Sequence, residues 1–461
     1  MIEQRPGVQH ERAVIVGMYP HNAPLEPDRM LDELASLAEA AGAQVVGRIH
    51  QKRHARDAAT YIGKGKVDEL ATLAEGLEAQ IVIFDGELSP SQIRELEAVV
   101  RRRVIDRSEL ILDIFASRAR TREAILQVEL AQLQYTAPRL RGMWTHLERQ
   151  AGTGGGMGTG GAGGAGGVGG IGTRGPGEKQ IEIDRRIVSR RISRLREELA
   201  EIDRRKTREV LARTQDHFTC CLVGYTNAGK STLMNRLTGA DVFAADMLFA
   251  TLDTRTRRWD LAPGEAIMLS DTVGFVRDLP HQLVASFRAT LEEALHSDLL
   301  LHVIDASHPH VEHQIHAVEA VLTELKADMA RVLPVLNKID AIADPATLAV
   351  LRTRLPRAVL LSAQTGQGVE HLHAAVRQAW RQQDVRVRLR IPMADGRAQS
   401  LARARGRLID ESWTETCWEA HMVIGRRPLE QLYELAVEVE VLEQGMASTV
   451  GLRTGGHESL G

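Results

Sequence analysis

Along residues 12–120, short apolar runs alternate with longer segments whose apolar positions recur at steps of three and four. Residues 13–17, 44–47, 81–84 and 103–105 read as strands, and 28–41, 66–77 and 89–99 as amphipathic helices. That rhythm predicts a parallel α/β layer. Gly63-Lys64-Gly65-Lys66 fits the opening of the second helix; contact with an RNA backbone or a second nucleotide is the other reading, although full phosphate-loop spacing is missing. The period then changes. Leu126, Leu130, Leu133, Ala137 and Leu140 recur at steps of four and three, as do Val188, Ile192, Leu195, Leu199 and Ile202, so two helices are expected to face each other. Pro138 should kink or end the first. Residues 152–177 hold 16 of the chain's 40 glycines and cannot propagate a helix, which predicts an antiparallel hairpin with a glycine-rich loop at its tip.

Further apolar runs at 220–223, 266–269, 332–336 and 358–361 each end in a polar loop, the pattern of a second, mostly parallel sheet. Val385, Val387, Leu389 and Ile391 alternate with Arg386, Arg388 and Arg390, a strand whose basic face is either an RNA contact or a guarded sheet edge. Trp413, Trp418 and Met422 are expected to form a small core, with a disordered tail after Gln444. The expected fold class is α/β in four parts. These are a parallel α/β domain (1–120), a helical hairpin with a glycine-rich tip (121–215), a phosphate-loop nucleotide domain (216–383) and a small α+β domain (384–461).

Composition changes this picture in two places. The whole chain of 461 residues is nearly neutral, at −3, yet residues 101–215 carry about 23 basic against about 14 acidic side chains. An excess on an expected loop points to a polyanion, with a solvated helical face as the plain alternative. Cys220, Cys221 and Cys417 lack metal spacing and suit a reducing compartment. With no apolar run of membrane-spanning length and no leader pattern before residue 20, a cytoplasmic protein is expected, and nothing asks for more than a monomer.

The candidate chemistry begins at Gly224-Tyr225-Thr226-Asn227-Ala228-Gly229-Lys230-Ser231, between an apolar strand and a helical pattern that opens with Thr232. Backbone N–H groups of such a loop cradle a polyphosphate, Lys230 meets the outer phosphates, and the Ser231 hydroxyl can ligate Mg2+. Phe249-Ala250-Thr251-Leu252 is the candidate first switch, Thr251 completing the metal shell. Asp271-Thr272-Val273-Gly274 follows the next strand; Asp271 can hold the metal through water and the Gly274 N–H can sense a γ-phosphate. Asn337, Lys338 and Asp340 follow a third, where the Asp340 carboxylate can accept both N1–H and the 2-amino group of guanine, a pair adenine lacks. Ser362 and Ala363 supply the remaining base loop, the Ala363 N–H directed at the guanine carbonyl oxygen. GTP and GDP are therefore the expected nucleotides, with Lys230, Thr251 and Gly274 as the catalytic set. Phe275 stands where a water-orienting glutamine is usual, so intrinsic hydrolysis should be slow. Asn227 is a candidate ligand for K+, or holds its own turn.

Further motifs carry a resemblance. Residues 169–178 (Gly-Gly-Ile-Gly-Thr-Arg-Gly-Pro-Gly-Glu), Asp184-Arg185-Arg186, residues 61–66, 112–119 and 126–133 are similar to the HflX family of ribosome-associated GTPases, over about residues 10 to 425. The long glycine expansion, Lys179 and Ile183 depart from the family pattern. The resemblance implies that the tip loop reaches the peptidyl-transferase region of the large ribosomal subunit. It further implies a factor that binds the intact ribosome and splits stalled or idle ribosomes into subunits. Arg139, Arg141, Arg174, Arg185 and Arg186 are the expected rRNA contacts, beside Trp144 and His146 as stacking surfaces. An RNA-modification GTPase and a GTP-gated assembly scaffold are the alternatives; the first lacks a visible nucleophile or metal set in residues 12–120.

Overall fold

The structure is a computed structural model. It describes residues 8–21, 30–137, 176–239, 248–249, 255–262, 265–277, 294–342, 344–382, 384–435 and 437–444, without the side chains of 176–185, 209–216 and 427. Three sheets organise it. The first has the order β2-β1-β3-β4, built from β1 (Arg12–Tyr19), β2 (Gln44–Lys52), β3 (Ile81–Phe84) and β4 (Arg103–Asp106), all parallel. The residues of β3 are all buried, the pattern of a strand covered on both faces. Two of its helices start at side-chain caps. Ser89 and Gln92 form a reciprocal capping box on Pro90–Val100, and the Asp106 carboxylate accepts the Glu109 N–H to start Arg107–Arg118.

The two seams meet over part of their length, while Pro138, Leu140 and residues 152–175 of the expected tip lie outside the described residues. Leu126, Leu130, Leu195 and Leu199 form one buried cluster between the helices Arg122–Thr136 and Pro176–Asp216, with Leu133, Ile192 and Ile202 against it. Full burial of each leucine contributes about 1.5–3 kcal/mol. Arg191 grips Glu129 through two hydrogen bonds of 2.8 and 2.7 Å, and Lys206 meets Glu123 at 3.0 Å. The second helix is longer than its seam. It starts at Pro176, inside the glycine signature expected to be loop, because proline suits the first turn of a helix, where its missing N–H costs nothing.

The second sheet has the order β10-β9-β8-β5-β7-β6. Its strands are β5 (Thr219–Gly224), β6 (Arg255–Ala262), β7 (Glu265–Asp271), β8 (Leu299–Asp305), β9 (Val332–Asn337) and β10 (Val359–Leu360), and only β6 runs antiparallel to its neighbour. The first two sheets share a core: Phe115, Ile111 and Leu37 belong to one buried cluster with Val223, Tyr225, Phe249 and Phe275.

The third sheet, β12-β13-β11-β14, comprises β11 (Asp384–Pro392), β12 (Gly406–Trp413), β13 (Cys417–Gly425) and β14 (Glu438–Gln444). It corrects two expectations. β11 is an interior strand, not an edge, and its basic face is occupied: Arg388 pairs with Glu440 at 2.9 Å, and Arg390 with Glu419 at 2.7 Å and Glu438 at 3.5 Å. Trp418 and Met422 are fully buried, but Trp413 is half exposed, stacked on Trp418 at the end of edge strand β12.

Candidate functional site

The site lies at the carboxyl ends of β5, β7, β8 and β9, where chain order reverses across a parallel sheet and loops from both directions meet. β5 delivers residues 224–231 to this edge. Gly229 adopts φ +91°, and a Cβ there would lie 2.3 Å from Asn337 Nδ2, so only glycine allows the loop to turn into the helix Lys230–Thr238. No side chain caps that helix, and its first-turn N–H groups and dipole suit an anion.

Lys230 is buried and donates to the carbonyls of Gly224 and Tyr225 at 3.0 and 2.8 Å. Burial pushes its ammonium down to about 8, opposed by Asp271. The amine is thus charged at neutral pH and loses its proton above about 8, so affinity for a polyphosphate should fall by up to about tenfold per pH unit beyond that point. Titrating GDP by calorimetry at about pH 7 and about pH 8.7, below the range in which guanine loses its N1 proton, checks this, and equal affinities would contradict it.

The Ser231 hydroxyl donates to Asp271 Oδ2 at 2.8 Å, an all-oxygen pair of the kind a hard divalent cation takes. Thr272 Oγ donates to Leu222 O at 2.7 Å and ties the end of β7 to β5, a structural task. Val273 is buried beside it. Thr232 is exposed on the helix. The base end is built around Asn337: its Nδ2 donates to Ala228 O and its Oδ1 accepts the Ala363 N–H, both at 2.9 Å. The Ala363 amide expected to face guanine is therefore engaged within the protein, because a buried asparagine oxygen lies in its path. Lys338, at φ 59°, pairs with Asp305 at 2.7 Å, and Asp340 is exposed in the turn Ile339–Ala341. Ser362 is buried, its Oγ accepting the Thr365 N–H.

Ala250, Thr251, Leu252, Arg139, Arg141 and Arg174 lie outside the described residues, as does the side chain of Arg185. Phe249 is buried, and its N–H donates to Thr226 Oγ at 2.9 Å. Sequence reasoning missed three contributors. Arg236 fastens the base loop by donating to Ala363 O and Gln364 O. Arg277 and the Tyr225 hydroxyl reach away from the nucleotide loop towards the first sheet. Nothing in spacing signals these, since their partners are remote in the chain.

A phosphate loop, a hydrogen-bonded Ser231–Asp271 pair and an asparagine-centred base end on one parallel sheet edge define a guanine-nucleotide-binding P-loop protein. Family models match in the same order: "GTP-binding GTPase N-terminal" over residues 28–116, "GTP-binding GTPase Middle Region" over 118–213 and "50S ribosome-binding GTPase" over 219–338. The chain is 46% identical over 373 residues to the GTPase HflX of Magnetococcus marinus, covering 80% of this chain and 82% of that one. It is 44% identical over 393 residues to GTPase HflX of Escherichia coli, covering 85% and 88%. A GTP-binding protein from Sulfolobus solfataricus, solved in complex with GDP, is 24% identical over 80% of this chain and 98% of that one, with a TM-score of 0.39. The chain belongs to the HflX family, and it is a GTPase. Among the described residues no helix is long and apolar enough to cross a membrane.

Proposed function

We propose that this GTPase acts in the cytoplasm, as a monomer, on the ribosome: it engages the large subunit and its rRNA in the GTP form and separates stalled or idle ribosomes into subunits. One observation carries the reading. Only two residues separate the helix Pro176–Asp216 from β5, whose far end is the phosphate loop, so the arm and the nucleotide site are consecutive along the chain. Along that helix Arg186, Arg190 and Arg194 are exposed at four-residue spacing, a stripe that suits a phosphate backbone. The match of residues 219–338 to the 50S ribosome-binding GTPase model supports the same partner.

Ser231 and Asp271 would hold Mg2+, joined by Thr251 when GTP is present, and Asn227, at φ 60°, would help ligate K+. The metal supplies neutralisation of charge on the outer phosphates. Lys230 adds a buried positive charge there, and Gly274 offers its N–H to the γ-phosphate. The Phe275 ring is buried and carries no group able to orient water. Hydrolysis by the protein alone should accordingly be slow, and the large subunit should accelerate it by about 10³-fold or more. Steady-state phosphate release with and without purified large subunits tests this; an unchanged rate contradicts the reading.

A further inference from the structure

One side chain of the phosphate loop is bonded to the first switch and still has a proton to give. Thr226 is only 5% exposed. Its N–H donates to the carbonyl of Phe275 at 2.7 Å, and its Oγ accepts the N–H of Phe249 at 2.9 Å, so its backbone meets the second switch and its side chain the first. A hydroxyl carries one proton to donate and two lone pairs to receive. Phe249 takes one lone pair of Thr226 Oγ, while no acceptor among the described residues takes its proton. A polar hydrogen buried without a partner is unfavourable, so an acceptor belongs beside it.

The place of that acceptor follows from the neighbours of Gly274. A Cβ built on Gly274 would lie 2.8 Å from Thr226 Cα, 3.1 Å from Thr226 Cβ and 3.0 Å from Lys230 Nζ. Gly274, the Lys230 ammonium and the carbon that bears the Thr226 hydroxyl thus surround one point. The Gly274 N–H and Lys230 are the groups assigned to the outer phosphate, whereas the α- and β-phosphates suit the N–H groups of the loop and the helix start. Lys230 also has little to spare. Two of its three N–H donors are engaged with Gly224 O and Tyr225 O, which leaves one for a terminal phosphate whose oxygens only accept. A second donor at this point therefore has a task, and the Thr226 hydroxyl is the side chain able to perform it.

The same hydroxyl reaches the metal side of the site. Thr251, the expected metal ligand, lies two residues beyond Phe249. Hydrogen bonds in a chain polarise one another, so a hydroxyl that donates to phosphate accepts more strongly from the Phe249 N–H. With GDP the donor side stays unused, and the hold on Phe249 is weaker.

We propose that the Thr226 hydroxyl is a γ-phosphate ligand that relays the presence of that phosphate to the first switch, which makes Thr226 a residue that distinguishes GTP from GDP. This rests on the nucleotide-site reading and is independent of the ribosomal one; retained GDP binding in a variant marks the site itself as intact, so the two can fail separately.

Equilibrium titration of the full chain with fluorescent GDP and a fluorescent, non-hydrolysable GTP analogue tests it. Thr226→Val keeps the branched shape and loses the hydroxyl. It should weaken the analogue by about tenfold, the scale of one hydrogen bond to a charged group, and change GDP by less than about twofold. Thr226→Ser keeps the hydroxyl and should retain most of the wild-type ratio. In steady-state phosphate release, the Mg2+ concentration that gives half the maximal rate should rise in Thr226→Val and return towards the wild-type value in Thr226→Ser. Equal weakening of both nucleotides by Thr226→Val would reduce the hydroxyl to a structural bond with Phe249, and an unchanged analogue affinity would remove it from the phosphate. An unchanged Mg2+ requirement would break the link to the first switch. Each of these results overturns the proposal. Should Thr226→Val fail to fold, Thr226→Ala answers the same questions.

Discussion

Asp340→Asn is expected to cost about 10²- to 10³-fold in affinity for GTP while making XTP the better substrate. The carboxylate offers two acceptors to the N1–H and 2-amino donors of guanine. An amide offers one acceptor and one donor, so the 2-amino group of guanine meets N–H groups and is left unpaired. Xanthine carries a carbonyl at that position and accepts from the amide. The scaffold that presents residue 340 should survive the change. Asp340 is exposed, and its turn is fixed instead by Asn337, through Ala228 O and the Ala363 N–H, and by the Ala341 N–H bonding to Lys338 O at 3.0 Å. Hydrolysis of GTP and XTP compared at matched concentrations checks the exchange. A variant that keeps its GTP affinity and gains nothing with XTP would remove Asp340 from base recognition.

How much of this was legible beforehand depends on the range over which each feature is specified. The phosphate loop was legible because its requirements are local: Gly224, Gly229, Lys230 and Ser231 must fall at fixed spacing between a strand and a helix. The hairpin seam was legible because Leu126, Leu130, Leu195 and Leu199 repeat with the helical period, and their cluster is present. Sheet order was not. Arg386, Arg388 and Arg390 alternate in the same way on an edge or an interior strand, and only the pairing with β13 and β14 places glutamates beside them. Trp413 and Trp418 have similar sequence surroundings, yet only the second points into the core. The contacts of Tyr225 and Arg277 with Glu33 and Asp85 join residues 192 positions apart. Charge balance across such a gap leaves no periodic trace.

The second large effect concerns the arm. The Pro176–Asp216 helix is one continuous element that leads into β5 after two residues, and its basic stripe can supply affinity through phosphate contacts without the tip. Separation of subunits asks more, because the tip must be inserted between groups that otherwise remain in place. Removing residues 169–177 should thus leave guanine-nucleotide binding intact, since every residue assigned to the nucleotide lies between 224 and 363. It should nonetheless abolish splitting.

Sucrose-gradient sedimentation of intact ribosomes incubated with the protein and GTP measures this directly. The account predicts that the full chain converts the intact-ribosome peak into subunits with GTP and not with GDP, and that the chain lacking residues 169–177 leaves the peak whole. Splitting by the shortened chain, or ribosomes indifferent to the full chain loaded with GTP, would contradict it.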